Sequence, residues 1–223
     1  MLLGSIAFAL MGALAHALGA YCDWQVIALA RSLLPLCFIL PIAVAGRTKL
    51  VVWKPASLWL RSLAGSFSMM STFFALTRLP VSDVYTLANM FPIWVAVLSA
   101  TLLGEPPSRG VWLAVVSGIG GVVLIQQPHI ADGNFAALVA LNSSFLTAIA
   151  MIGLHRLRGI GTEAIVIHFS AVALLCCGAC FVAFERTKDF LPSLSGWPSL
   201  LLLGIGVTAT VGQVGLTKAF VSG

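Results

Sequence analysis

Apolar residues run along this chain in long stretches interrupted by short polar breaks, without the alternation of a half-buried strand. Eight stretches are long enough to matter, covering residues 2–20, 25–45, 57–78, 83–103, 109–127, 134–155, 162–184 and 197–220. A helix rises about 1.5 Å per residue, so about 20 apolar residues cross a hydrocarbon core roughly 30 Å thick. Each stretch therefore predicts one membrane-crossing helix. Open sheet at that depth would leave edge groups unpaired in lipid, and the alternating segments of about ten residues that a barrel needs are absent. The expected fold class is all-α, a polytopic membrane protein of about eight transmembrane helices.

The breaks carry turn chemistry: Tyr21-Cys22-Asp23, Gly46-Arg47-Thr48-Lys49 to Lys54-Pro55, Leu79-Pro80, Gly104-Glu105-Pro106-Pro107, Gln127-Pro128-His129, Gly159-Ile160-Gly161 and Glu185 to Gly196. Short connections make neighbouring helices antiparallel. Ser82 and Ser108 are expected as helix N-caps, and Thr162 with Glu163 as another helix start. Met1 to Ala20 lacks the charged n-region of a signal peptide and reads as a first membrane helix.

Composition agrees with the pattern. Hydrophobic residues make up 60% of the 223 and charged ones 9%, against about 25% charged in soluble domains, and the mean hydropathy is +1.05. The net charge of +5 does not gather into an aromatic-interleaved basic patch, so nucleic acid is not expected as a partner. It reads as topology instead. With the N-terminus inside, Arg47, Lys49, Lys54, Arg61, Arg109, Arg156, Arg158 and Lys218 fall on the cytoplasmic side and Arg78, Arg186 and Lys188 outside, eight against three. The five cysteines lie almost wholly within apolar runs, without zinc-ligand spacing, and read as small membrane-core residues.

Sliding the chain by about 139 to 140 residues brings Arg47-Thr48 onto Arg186-Thr187, Gly65 onto Gly204 and Thr77-Arg78 onto Thr217-Lys218. Such an offset matches a unit of five spans. Five is odd, so a second copy enters the membrane from the opposite side, an inverted repeat as in many secondary carriers. The second copy would hold only three of its five spans within this sequence.

The chain resembles the EamA family of the drug/metabolite transporter superfamily. The likeness rests on Arg31 opening the second span, Phe73-Phe74-Ala75-Leu76-Thr77-Arg78-Leu79-Pro80-Val81-Ser82-Asp83, Asn89-Met90-Phe91-Pro92-Ile93-Trp94, Leu103-Gly104-Glu105, and Gly118-Ile119-Gly120-Gly121-Val122-Val123-Leu124-Ile125. It implies a first EamA-like five-helix repeat over residues 1–128 and a second over 134–223, truncated to three helices. It also implies transport of small metabolites by alternating access and no bound cofactor. The expected partners are a small solute and the lipid bilayer, with a homodimer as the oligomer of interest. The expected location is the bacterial inner membrane.

Polar groups at membrane depth are costly and mark candidate sites. Arg31 either attracts an anionic group in a cavity or snorkels to an interface. His168, its approximate counterpart in the repeat, offers proton coupling or a packed hydrogen bond. Tyr85, Thr86, Asn89, Pro92 and Trp94 place the solute path in the fourth span, where Pro92 permits a kink near Ala88; an Asn that glues two helices is the alternative. Ser66, Ser68, Ser71 and Thr72, with Thr208, Thr210 and Gln213, either line an aqueous route or let helices approach closely. The expected substrate-binding set is Arg31, Ser71, Tyr85, Asn89, Pro92, Trp94, His168 and Gln213. Gly118, Gly120 and Gly121 read as packing; Asn142, Ser143, Ser144 and His16 are open between cavity and interface; Asp23 and Asp83 read as solvated boundary residues. Glu105 reads as a turn, and no first-span Glu supports a multidrug mechanism of that kind.

The leading function is a secondary carrier for a small metabolite such as an amino acid or related solute. The alternatives are a non-transporting fragment or assembly subunit and, more remotely, a membrane enzyme acting on lipid. The clustered carboxylates, histidines or nucleophile-base pair of such an enzyme are not found in the sequence, so no enzyme is expected.

Overall fold

The computed structural model describes residues 2–103, 107–126, 135–157, 159–183 and 196–222. Within these the chain forms α1 (Leu2–Leu18), α2 (Trp24–Ala45), α3 (Ala56–Leu76), α4 (Val81–Ala88), α5 (Phe91–Leu98), a π-helical turn (Ser99–Leu103), α6 (Arg109–Gln126), α7 (Phe135–His155), α8 (Thr162–Ala183) and α9 (Trp197–Ser222). No strand occurs among the described residues. Each predicted span coincides with helix, the fourth being divided into α4, α5 and the π turn. The turns at residues 104–106 and 127–129 and the segment from 185 to 195 lie outside the described residues, as does Arg158.

Five helical segments, among them Trp24–Ala45, Phe135–His155 and Thr162–Ala183, are long and apolar enough to cross a membrane. The chain is an integral membrane protein. Helix α3 is less apolar for a physical reason: Arg61, Ser62, Ser66 and Ser68 are buried inside the bundle, while Leu60, Leu63 and Phe67 face outward. Lipid leaves apolar side chains no incentive to turn inward, so small and polar residues gather between helices.

Packing is most extensive between α3 and α7, then between α1 and α9 and between α2 and α8; α2 also lies along α9, and α3 along α8. Two devices hold these pairs. Between α1 and α9 it is a lack of side chain: a Cβ at Gly4 would lie 3.4 Å from the Gly212 carbonyl oxygen, so the backbones nearly touch. Between α3 and α7 it is hydroxyl bonding, with Ser68 Oγ donating to the Ser143 carbonyl at 2.8 Å and lying 2.7 Å from Thr147 Oγ1. Ser143 and Ser144 are thus interface residues.

The fourth span breaks where Pro92 predicted. Helix α4 stops at Ala88, Asn89 and Met90 form a turn, and α5 begins at Phe91 with the proline in its first turn, where its missing N–H costs nothing. Three local expectations are corrected. Helix α4 starts at Val81 after Pro80, and Ser82 Oγ donates to Asp83 Oδ1 instead of capping. Asp83 is fully buried, not solvated. A Cβ added at Gly118, Gly120 or Gly121 would meet nothing within 4 Å, so these glycines do not serve as packing sites against the described residues. Ser108 does cap, its Oγ accepting from Val111 N at 3.4 Å.

Candidate functional site

The bundle interior where α2, α3, α8 and α9 meet holds two arginines. Arg31 on α2 is 4% exposed and Arg61 on α3 is 3% exposed. Arginine keeps its proton at any accessible pH, so it cannot escape burial by becoming neutral. An uncompensated buried charge costs several kcal/mol. The usual remedy is a carboxylate, yet neither arginine forms an ion pair with Asp23, Asp83 or Glu163, the acidic side chains among the described residues.

Both cations lie against one aromatic ring, and Arg31 also meets an amide. The guanidinium carbon of Arg31 lies 5.5 Å from the Phe169 ring centroid, and that of Arg61 lies 4.6 Å from the same centroid. Arg31 Nη2 donates to Gln213 Oε1 on α9 at 3.2 Å. Arg31 Nε and Nη1, Arg61 Nε and the Gln213 Nε2 amide are buried without a hydrogen-bond partner. The Thr217 hydroxyl, one turn beyond Gln213, is likewise unpaired. Space for Arg61 comes from Gly65, one turn along α3, where any Cβ would overlap Arg61 Nη1 and the Phe169 ring. Gly153 of α7 lets that helix close on the Arg61 backbone from the other side.

Beside this cluster His168 is fully occupied. A carbonyl oxygen can only accept, so His168 Nε2–H donates to Val52 O at 3.2 Å, and Nδ1 shares a hydrogen bond with the Ser62 hydroxyl at 2.7 Å. The Trp59 ring stands edge-on to the imidazole at 4.9 Å. This is the arrangement of a histidine packed by two hydrogen bonds.

The structure joins Arg31 and Gln213 of the expected set, places His168 beside them on Ser62 and Val52, and sets the other five apart. Tyr85 donates its hydroxyl to the Phe8 carbonyl at 2.9 Å, its ring resting on Gly12 of α1. Trp94 Nε1 donates to Ser144 Oγ at 2.9 Å, and its ring meets Phe145 edge-on. Ser71 is partly buried and Asn89 is exposed at the helix break. Pro92 lines a second space, a cleft of ≈ 630 Å³ between α5, α6, α7 and the end of α9. Its walls are mainly apolar, among them Phe91, Val95, Val115 and Met151, with His155 and Arg156 supplying polar groups. His16, also open in the sequence, donates through Nδ1 to the Leu76 carbonyl at 2.8 Å.

Sequence reasoning missed Arg61, Phe169 and Thr217. Arg61 stands five residues into α3 and reads as a topology charge when counted by its position alone. Its helical face tells otherwise: Leu58, Arg61, Ser62, Gly65, Ser66, Met69 and Phe73 recur at three- and four-residue spacing and are all buried.

Comparison with known proteins gives a consistent answer. A family model described as the EamA-like transporter family matches residues 1–127. The pseudopaline exporter of Pseudomonas aeruginosa is 34% identical over 168 residues, covering 73% of this chain and 56% of the exporter. The S-adenosylmethionine uptake transporter of Rickettsia prowazekii is 27% identical over 129 residues, covering 52% of this chain and 44% of that protein. The chain spans about half the length of the curated relatives it matches. A solved crystal structure, 19% identical, superposes with a TM-score of 0.73 over 99% of this chain and 78% of its own, a likeness of fold.

Proposed function

The chain belongs to the EamA-like transporter family, and from that premise we propose that it works as a secondary carrier for a small polar solute, by alternating access. The observation that carries this reading is the unpaired polar junction of Arg31, Arg61 and Gln213, held between helices from the two ends of the sequence. Buried polar groups at membrane depth are retained where they meet a substrate or ion.

The contacts also support two halves, residues 1–128 and 134–223, related by inversion. Let α1, α2 and α3 exchange with α7, α8 and α9. The α3–α7 pair then becomes α9–α1, the α2–α9 pair becomes α8–α3, and α2–α8 maps onto itself; all are packed pairs in the fold. A carrier of this kind rocks one half on the other around a site at their junction. Asn89 and Pro92, at the broken fourth span, and Ser71 lie on the route we assign to the solute, while Tyr85 and Trp94 hold that span to α1 and α7. We place the protein in the bacterial inner membrane with its N-terminus cytoplasmic. With Arg61 removed from the count as buried, the charges still favour the inside by seven to three.

The test is flux of radiolabelled amino acids and related metabolites into sealed vesicles containing the purified chain. Arg31→Ala is expected to cut transport at least tenfold and Asn89→Ala severalfold. Wild-type rates for both would remove this site from the pathway, and absence of flux for every solute would remove the carrier reading.

A further inference from the structure

From the chemistry of the buried junction we infer that the site takes an oxyanion, a carboxylate or phosphate group carried by the solute, between Arg31 and Arg61 over the Phe169 ring. This rests on the carrier reading for its role in transport, but not for its chemistry. Two guanidinium groups with Nε donors unsatisfied lie against one ring, each at least nine-tenths buried, and no described carboxylate pairs with them. Like charges brought together in a low-dielectric interior repel, and neither can shed its proton. An anion entering between them replaces that repulsion with two attractions. Arginine's planar fork matches the paired oxygens of a carboxylate or phosphate, so the unsatisfied donors are of the type such a group would use.

The flanking residues narrow the choice of ligand further. The free Gln213 amide N–H adds a neutral donor beside Arg31, and the Phe169 ring adds an apolar surface in contact with both cations. A cationic or purely apolar solute would leave every one of these donors unpaired. Gly65 leaves room for the Arg61 guanidinium, and Gly153 lets α7 close on the Arg61 backbone, so the charge is set by its own helix and not by a partner. The histidine next door takes no part, because both of its ring nitrogens are already bonded.

Binding is read by calorimetry and by thermal unfolding on the purified chain in a non-ionic detergent. The probes are succinate, inorganic phosphate and, at matched ionic strength, chloride and putrescine. Succinate or phosphate is expected to raise the unfolding temperature in a saturable way, and the stronger of the two identifies the oxyanion. Arg31→Gln and Arg61→Gln are each expected to weaken that binding at least tenfold. Without ligand, these variants are expected to unfold at or above the wild-type temperature, because each removes an unpaired buried charge; a structural role would lower it. Arg31→Lys and Arg61→Lys keep the charge, and partial binding by them supports the site even where a glutamine variant does not fold. Equal responses to chloride, no response to either oxyanion, wild-type binding by both glutamine variants, or failure of both substitutions at either position to fold would overturn the inference. Succinate binding without vesicle flux would keep it and discard the carrier reading; flux indifferent to both oxyanions and to both arginines would do the reverse.

Discussion

Helices α3 and α6 are both rich in glycine or serine, yet their small residues meet opposite surroundings. On α3, Gly65 has Arg61 and Phe169 against it, Gly153 of α7 closes on the Arg61 backbone, and Ser68 bonds across to α7. On α6, Gly118, Gly120 and Gly121 face open space, and Leu113, Val116 and Leu124 are exposed. The difference teaches that a small residue in a membrane helix marks an interface only when something on a neighbouring helix needs the room. On α3 that something is a guanidinium and a hydroxyl; on α6 no described residue makes the demand.

Substitutions should widen this contrast in a graded way, read as stability in a detergent denaturation series. Gly153→Val should be the most damaging, because a Cβ there already stands 3.0 Å from the Arg61 backbone nitrogen. Forcing α7 off α3 is expected to cost about 3 kcal/mol, the upper range for overpacking. A loss below about 1 kcal/mol would show that the two helices are not tightly joined there. Ser68→Ala removes the hydroxyl that bridges to Ser143 and Thr147 and should cost about 1 kcal/mol, the typical net value of an internal hydrogen bond. Tyr85→Phe, which deletes the bond to the Phe8 carbonyl, should cost a similar amount or less. Gly120→Ala on α6 should change stability by no more than about 0.5 kcal/mol, as exposed positions do. A large loss at Gly120 would show that α6 has a partner in the membrane.

The helices themselves were legible in the sequence because span length and hydropathy are set by bilayer thickness, which acts locally on each stretch. The break in the fourth span was legible for the same reason, since Pro92 lacks its donor wherever it stands. What faces what was harder. Arg31 stood out as a charge within an apolar run, but Arg61 lies near a helix start, where a cytoplasmic arginine is ordinary. Only its place on the small-residue face of α3 distinguishes it. The glycines of α6 misled because glycine in a membrane helix is compatible with close contact and with none. Tyr85 and Trp94 stood out as polar aromatics, yet the partners that occupy them, a carbonyl of α1 and a hydroxyl of α7, are separated from them by 77 and 50 residues. No local pattern encodes such pairings.

On the proposed reading of two exchangeable halves, the pairing of helices has an energetic corollary. An arrangement with the roles of the halves swapped would pack the same pairs of helices, which would narrow the free-energy gap between the two. A balance that fine is tipped by little: a preference of about 1.4 kcal/mol for one state shifts the populations tenfold. Neutralising one of two crowded cations is a source of such a preference. In the proposed carrier, the shared pairing of helices would make the protein easy to turn, and its unpaired charges would make it responsive to what turns it.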